Sequence, residues 1–181
     1  MTPPEPYLGV IDHTPVRHHI LSVLVENKAG VLARIAGLFA RRGFNIYSLA
    51  VAPAESNARF SRVTIVVDAE SAPLEQIVGQ LDKLVNVVAI SDISPKDALE
   101  RELLLATIKT DVDNRTSLLD IIASAGAAIV DVDAKSVTVM LAATPGNCDE
   151  FEKALEGFAD VELHRTGRVA LPRLGKTAHA Y

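Results

Sequence analysis

One arrangement of secondary structure is predicted twice in this chain of 181 residues, with an offset of about 80 residues between the copies. In each copy an apolar strand leads into an amphipathic helix, two strands form a hairpin, and a second helix leads into a final strand. Right-handed crossovers place both helices of such a βαββαβ unit on one face of its sheet. The repeat therefore predicts two small modules in tandem.

The first copy begins with the strand ILSVLV, residues 20–25, which is apolar on both faces, as in a buried central strand. The next helix ends at Gly43, because glycine readily adopts the left-handed backbone of a helix end. Its apolar stripe consists of Val31, Leu32, Ile35, Leu38 and Phe39. The remaining elements are predicted as strands at 44–52 and 59–68, a helix that opens at Pro73, and a strand at 87–93.

The second copy begins with the strand LLLATIK, residues 103–109. Asp113 or Asn114 is predicted to cap the following helix, since both residue types accept hydrogen bonds from the first turn. Its apolar residues are Leu118, Leu119 and Ile122. A hairpin around Ala134-Lys135, a helix marked by Phe151, Ala154, Leu155 and Phe158, and a closing strand VELHRTGRVAL complete the copy.

These patterns predict an α+β protein built from two tandem ferredoxin-like βαββαβ modules. The predicted domains are an N-terminal arm at 1–17, a first module at 18–94, a second module at 95–174 and a tail at 175–181. Four-stranded sheets of this kind have open edges, and the apolar strands suggest that a partner covers an edge or the second face. We therefore expect a homodimer.

The composition disfavours several classes of function. The net charge of −5 and the lack of Trp disfavour a protein that binds nucleic acid through basic patches and stacked aromatic rings. Cys148 is the only cysteine, so an intrachain disulfide and a cysteine-based zinc cage are excluded, and we expect no metal site. No apolar run approaches the ~18 residues of a membrane span, and no signal pattern opens the sequence. A cytoplasmic protein without a membrane contact is expected.

The two ends of the first helix carry the most unusual residues. Asn27-Lys28-Ala29-Gly30 precedes the helix and Asn45 follows it. A helix N-terminus offers unpaired N–H groups that favour a carboxylate, and asparagine side chains can both donate and accept. Both charged groups of a zwitterionic amino acid would find hydrogen-bond partners there. The alternative is structural: Asn27 caps the helix, and Asn45 tolerates an unusual backbone after Gly43.

A resemblance supports the ligand interpretation. VENKAGVLARIAGLFARRGFNI resembles the opening of an ACT domain, a small-molecule-sensing βαββαβ module. The stretches LAVAP, SRVTIVVD, QLDKLVNVVAISDI, RELLLATIK and RTGRVALPR extend the similarity to the small regulatory subunits of acetolactate synthase, also called acetohydroxyacid synthase. This similarity spans residues 18–174, so the first module is identified as an ACT domain.

The resemblance implies a non-catalytic subunit that activates a separate large catalytic subunit of acetolactate synthase. That partner holds thiamine diphosphate, Mg²⁺ and FAD, whereas no cofactor is expected in this chain. It also implies feedback inhibition by a branched-chain amino acid, usually valine, bound between the ACT domains of two chains. Matched by position, the effector-binding residues are Asn27, Ala29, Gly30, Val31, Leu32, Asn45 and Ile46. Tyr47 departs from the acidic residue common at its position, which would alter effector affinity or selectivity.

Three other functions have to be considered for a chain of this size. A stand-alone enzyme would need a site such as the alternating Asp111/Asp113 or Asp131/Asp133 pairs, but no known catalytic motif accompanies them. A transcription regulator would need a basic DNA-binding element, and too few residues lie outside the two modules. A free-standing ACT-type amino-acid sensor that regulates a different enzyme or a transcription process remains the alternative, because the first module alone does not identify the target.

Overall fold

The computed structural model describes residues 18–54, 59–68 and 74–181. The first module contains β1 (His18–Glu26), α1 (Val31–Arg42), β2 (Ile46–Pro53), β3 (Phe60–Asp68), α2 (Leu74–Leu81) and β4 (Val87–Ile93). The second contains β5 (Ala98–Lys109), α3 (Val112–Ala125), β6 (Ala128–Val132), β7 (Ser136–Ala143), α4 (Pro145–Leu155) and β8 (Val161–Arg165), followed by β9 (Val169–Pro172) and β10 (His179–Ala180). The predicted α+β fold of two βαββαβ modules is confirmed. The predicted arm at 1–17 and the helix start at Pro73 lie outside the described residues.

The first sheet has the strand order β10-β4-β1-β3-β2, and all of its neighbouring strands are antiparallel. Alternate residues of β1 point toward α1 and α2, as the two-residue period of a strand requires. Among the described residues, the buried core on this face is aliphatic apart from Phe39, against which the half-buried Phe44 packs. It includes Leu21, Val23, Val25, Ile35, Phe39, Ile65, Ile77 and Leu81.

The second sheet has the order β6-β7-β5-β8. Its core combines alternate residues of β5 and β7 with one face of α3 and α4. The buried members include Leu104, Ile108, Leu118, Val139, Leu141, Cys148, Phe151 and Leu155. Burial raises the pKa of the Cys148 thiol, which makes this cysteine a small core residue rather than a reactive group.

The closing strand of the second module differs from the prediction. VELHRTGRVAL was expected as one strand, but it forms β8 and β9 with a break at Gly167, whose φ is +81°. Both pieces pair with β5: β8 pairs with residues 104–108, and β9 pairs with Ala98–Arg101. The long strand β5 therefore belongs to its own sheet at one end and to a two-stranded ribbon with β9 at the other.

Helices α3 and α4 both begin at a residue whose side chain caps the helix. The cap of α3 is Asp111, whose carboxylate accepts a 2.9 Å hydrogen bond from the Asn114 N–H, and not Asp113 or Asn114. Pro145 occupies the first turn of α4, where proline loses no helical hydrogen bond, and Thr144 caps that helix. That helix ends at Leu155, so the predicted helical residue Phe158 lies beyond it.

The ribbon of β5 and β9 packs on the first sheet, on the face away from α1 and α2. Ala98 and Ala170 from the ribbon contact Ile20, Val66 and Ile93, and all five are buried. The sequence suggested a partner molecule for this face or for an edge. The second module of the same chain covers this part of the face instead.

The tail predicted at 175–181 contributes β10, which pairs with β4 at the edge of the first sheet. His179 lies opposite Asp92, and the Tyr181 N–H donates to the Ile90 carbonyl over 3.1 Å. One edge of the first sheet is thereby covered. Among residues 18–54, 59–68 and 74–181, the edge along β2 has no strand beside it.

Asp92 is a poorly solvated carboxyl beneath this tail. Its Oδ1 is buried and has no hydrogen-bond partner within the described part of the chain. Burial raises the pKa of Asp92, while the neighbouring His19 and His179 lower it. Because folding raises this pKa, stability falls as the pH rises above the unfolded-state pKa, and the loss is complete above the folded-state pKa.

We expect Asp92→Asn to raise the melting temperature at pH 7, because the variant removes a charge that the fold solvates poorly. The gain should shrink as the pH falls toward and below the ordinary aspartate pKa of 3.8, because the wild-type carboxyl then becomes protonated in the unfolded state as well as in the folded one. Thermal unfolding followed by circular dichroism from pH 4 to pH 7 measures it. Glu162→Gln, at a strand carboxyl that is 77% exposed, is the control and should show no such trend. A lower melting temperature for Asp92→Asn at pH 7 would contradict this assignment.

Candidate functional site

The loop between β1 and α1 presents an open helix N-terminus. Gly30 precedes the helix with φ +82°, and no side chain accepts a hydrogen bond from the first turn. A Cβ placed on Gly30 would meet nothing within 4 Å, so the space beside it is empty of protein. Glycine is needed there for its left-handed backbone, and a ligand has room to approach.

The backbone donors of this loop are only partly used. The Val31 N–H donates to the Lys28 carbonyl over a long 3.3 Å, and the Lys28 N–H donates to the Glu26 carbonyl. The structure records no hydrogen bond from the N–H groups of Ala29 and Gly30 to residues 18–54, 59–68 or 74–181. Both residues are exposed, so their N–H groups are suited to an anion.

Asn27 does not cap α1, so the structural alternative for this residue is wrong. Gly30, three residues later, stands in the capping position. The Asn27 backbone N–H donates to the Arg59 carbonyl over 2.9 Å, which ties the loop to the start of β3. Its side chain is exposed beside the open helix end.

A polar network below the loop was not predicted. Asn86, in the turn before β4, donates to the Glu26 carboxylate over 2.6 Å and accepts from the Arg34 guanidinium over 3.0 Å. Hydrogen bonds from Lys28 and then from Asn86 lower the pKa of Glu26. Asn86 lies 60 residues from Glu26, and no local pattern in the sequence connects the two.

The other end of α1 has the expected glycine stop. Gly43 adopts φ +70°, its N–H donates to the Ala40 carbonyl, and the Phe44 N–H donates to the Phe39 carbonyl. Asn45 follows and is exposed, whereas Ile46 is half-buried against the core. Asn45 directly precedes the edge strand β2, and Ile46 is its first residue.

One chain does not bring the two predicted groups of site residues together. Helix α1 has 12 residues, which at 1.5 Å per residue makes it about 18 Å long. Asn27, Ala29 and Gly30 lie at one end, and Asn45 and Ile46 lie at the other. A single amino acid is too small to contact both ends within one chain.

Two predicted site residues have different surroundings although they are adjacent. Val31 is 6% exposed, so its side chain belongs to the core and only its backbone faces the loop. Leu32 is 43% exposed in the first helical turn. Leu32 is therefore the apolar side chain that this end of α1 offers to a ligand or a partner.

The corresponding loop of the second module has lost these features. Its helix α3 is capped by the Asp111 carboxylate, and the left-handed glycine is absent from that position. A side chain already satisfies the helix start, so an anionic ligand has no equivalent place. The open helix end belongs to the first module alone.

One member of each acidic pair considered as a catalytic site, Asp111 and Asp133, has a structural role. Asp111 caps α3, and the Asp133 carboxylate accepts from the backbone N–H groups of Lys135 and Ser136 in the β6–β7 turn. These turn hydrogen bonds lower the pKa of Asp133. Within the described residues, no cluster of three His, Cys, Asp or Glu side chains is arranged to hold a metal ion.

Comparison with known proteins identifies the family of both modules. The AHAS small subunit-like ACT domain family matches residues 21–89, and the family named small subunit of acetolactate synthase matches residues 101–174. The chain belongs to the acetolactate synthase small-subunit family. The first module is thus an ACT domain of the acetolactate synthase type, and family membership supports a regulatory-subunit role.

Individual members of this family agree. The acetolactate synthase small subunit of Mycobacterium bovis is 44% identical over 86% of this chain and 92% of its own length. The chloroplastic acetolactate synthase small subunit 2 of Arabidopsis thaliana is 42% identical over 90% of this chain, which matches 34% of the plant protein. The crystal structure of the acetolactate synthase small subunit from Thermotoga maritima superimposes with a TM-score of 0.82 at 34% identity, over 89% of this chain and all of that one.

None of the helices in the described residues is long and apolar enough to cross a bilayer.

The conformation of Gly30 gives a direct test of the loop geometry. Gly30→Ala should lower the free energy of unfolding by about 1–2 kcal/mol, because an L-residue in the left-handed region is strained. Gly79→Ala in α2 is the matched control, since it is also surrounded by open space but lies within a helix. That substitution should raise the free energy of unfolding by about 0.5–1 kcal/mol. Urea denaturation measures both, and equal effects of the two substitutions would contradict the left-handed assignment of Gly30.

Proposed function

We propose that this acetolactate synthase small subunit activates the catalytic subunit and mediates its feedback inhibition by valine in branched-chain amino acid biosynthesis. Family membership supports the choice of enzyme, and the open N-terminus of α1 beside Gly30 carries the effector part of the proposal. The thiamine diphosphate, Mg²⁺ and FAD of the reaction are held by the large catalytic subunit. The complex works in the cytoplasm.

The effector site is completed by a homodimer. The edge β2 is available for a second copy, and two-fold symmetry makes the two β2 strands antiparallel neighbours. Within one chain β1 runs parallel to β2, because both are antiparallel to β3. The loop at Asn27–Gly30 therefore lies at the end of the sheet where β2 finishes. An antiparallel copy starts its own β2 at that end and brings its Asn45 there.

The chemistry of the two half-sites fits a zwitterion. The N–H groups of Ala29 and Gly30 take the carboxylate, and the weakly engaged N–H of Val31 adds to them. The amide oxygen of Asn27, or that of Asn45 from the second copy, takes the ammonium group. The isopropyl group of valine packs against Leu32 of one chain and Ile46 of the other, both of which have exposed surface.

Micromolar binding of valine requires these contacts to act together. A charge at a helix end contributes about 0.3–1 kcal/mol when exposed and up to ~2 kcal/mol when partly buried. Micromolar affinity corresponds to about 8 kcal/mol, so hydrogen bonds and apolar burial supply most of the binding energy. One methylene changes binding by only about 1–3 kcal/mol. Leucine and isoleucine, which are each one methylene larger than valine, should therefore also bind, but more weakly. Serine, which lacks the apolar group, should bind much more weakly.

Inhibition follows from linkage. Valine inhibits if it binds more tightly to a less active arrangement of the holoenzyme than to the active one. Binding of a catalytic subunit that favours the active arrangement then weakens valine binding by the same factor. Activation and inhibition are thus two properties of one equilibrium.

Titration calorimetry of the purified small subunit with valine, leucine, isoleucine and serine tests the effector assignment. We expect binding in the order valine, then leucine and isoleucine, then serine. Equal dissociation constants for all four amino acids would contradict the apolar contacts. No heat for any of them would contradict the sensing role and leave a subunit that only activates.

Asn27→Ala should raise the valine dissociation constant about tenfold or more, because a hydrogen bond to a charged group contributes roughly 1.5–3 kcal/mol. The holoenzyme made with this variant should become resistant to valine and still be activated. Acetolactate formation with and without valine measures both properties.

Asn114→Ala is the matched control for this substitution, because Asn114 is an exposed asparagine at the corresponding helix start of the second module. It should leave valine inhibition unchanged. An Asn27→Ala subunit that loses activation but keeps normal valine inhibition would contradict the proposed roles.

A further inference from the structure

The connection between β8 and β9 reaches across to the first module at the start of β2. The Arg168 N–H donates to the Ser48 hydroxyl oxygen over 2.8 Å. The Arg168 guanidinium carbon lies 4.8 Å from the centre of the Tyr47 ring, within the range of a cation–π contact. Two consecutive residues of β2 are thus held by one residue of the second module.

This contact has little free space. Gly167 adopts φ +81°, and a Cβ there would lie 2.9 Å from the Ser48 hydroxyl oxygen and 3.1 Å from the Leu49 carbonyl oxygen. Such distances leave no room for a side chain. The backbone at Gly167 therefore packs directly on β2, and movement of one should displace the other.

Arg168 is also fixed from the side of its own module. Its guanidinium pairs with the Glu100 carboxylate of β5 over 3.4 Å, and the Arg168 side chain is only 11% exposed. A largely buried charge that lost this position would be poorly compensated. The Tyr47 ring also contacts the His18 ring of β1, with 4.4 Å between the ring centres. Glu100, Arg168, Tyr47 and His18 form one stack that crosses from the second module into the first sheet.

This stack lies next to the effector half-site proposed for the first module. Tyr47 and Ser48 directly follow Asn45 and Ile46, the half-site that β2 contributes. At Tyr47 the pairing of β2 with β3 is irregular, because Ile46 pairs with Val67 and Ser48 already pairs with Val66. The covalent link to the second module leaves from β4, which is separated from β2 by β1 and β3.

We propose that Arg168 is a positioning residue that couples the effector half-site at Asn45 and Ile46 to the second module. This inference rests on the proposed function. An amino acid that closes on Asn45 and Ile46 shifts the start of β2, and the Tyr47 ring and the Ser48 hydroxyl pass that shift to Arg168. The ion pair with Glu100 then transmits it to β5, the strand that the ribbon and the second sheet share.

The test separates valine binding from valine inhibition. Arg168→Met keeps a long side chain and the backbone N–H that contacts Ser48, but it removes the charge. We expect its valine dissociation constant, measured by calorimetry on the small-subunit dimer, to stay within about twofold of wild type. The valine concentration for half inhibition of the holoenzyme should rise at least about fivefold, the lower end of typical allosteric couplings. Arg168→Lys, which keeps the charge, should restore part of the inhibition.

Arg173→Met is the matched control, because Arg173 is an exposed arginine just after β9 and lies outside the stack. It should change neither quantity. Glu100→Gln is a second route to the same result, since it removes the carboxylate charge that pairs with Arg168 and leaves Tyr47 and the effector half-site unchanged. Thermal melts of each variant show whether it is folded.

Each outcome either supports or overturns the coupling role of Arg168. Normal binding with weakened inhibition in folded Arg168→Met or Glu100→Gln supports the coupling role. Normal binding with normal inhibition in both variants overturns it. Loss of binding and inhibition together also overturns it, since Arg168 would then only maintain the site. A wild-type chain that binds none of the branched-chain amino acids overturns the proposed function itself, and this is seen before any variant is compared.

Discussion

The rigidity and length of helix α1 determine how this subunit can bind a small molecule. The helix holds an uncapped N-terminus, shaped by Gly30, at one end of the first sheet, and it delivers Asn45 to the opposite end. No rearrangement short of breaking the helix brings the two together in one chain. If both take part in recognition, they must do so in different sites or across two chains. The antiparallel pairing of two β2 edges provides the second solution, because it reverses the direction of the partner strand.

Within residues 18–54, 59–68 and 74–181, the fold leaves the β2 edge of the first sheet open and covers its β4 edge. Helices cover one face of the first sheet, the ribbon of β5 and β9 covers part of the other face, and β10 covers the edge at β4. Unpaired edges invite association, so the remaining edge is the natural place for a second copy. The second module thus acts as a structural partner of the first, and its connection at Gly167 and Arg168 contacts the same strand that forms the dimer edge in our proposal.

Much of this could be predicted from the sequence because the determining signals are local. Short apolar runs between turn residues identified the strands, and Gly43 marked the end of α1 through its backbone preference. The contrast between the two modules was also visible, since only the first has a glycine before its first helix. The open loop at Asn27–Gly30 therefore followed from residue types and spacing, together with the resemblance to ACT domains.

The sequence did not reveal the contacts made over long separations. The break of the last strand depends on Gly167 packing against Ser48, and the loop network depends on Asn86, which lies 60 residues from Glu26. The cap of α3 was assigned two or three residues too late, because several adjacent residues, Asp111, Asp113 and Asn114, are all good caps. In each case tertiary packing chose among options that local propensity left equal.

A mixed dimer tests the shared site most directly. One chain carries Asn27→Ala, the other carries Asn45→Ala, and two different affinity tags allow the heterodimer to be purified. If each site takes its loop from one chain and Asn45 from the other, one of the two sites in this dimer is intact. Calorimetry should then show one valine bound per dimer with wild-type affinity, although each variant homodimer binds valine weakly. A mixed dimer that binds no better than the two homodimers would contradict a site shared between chains.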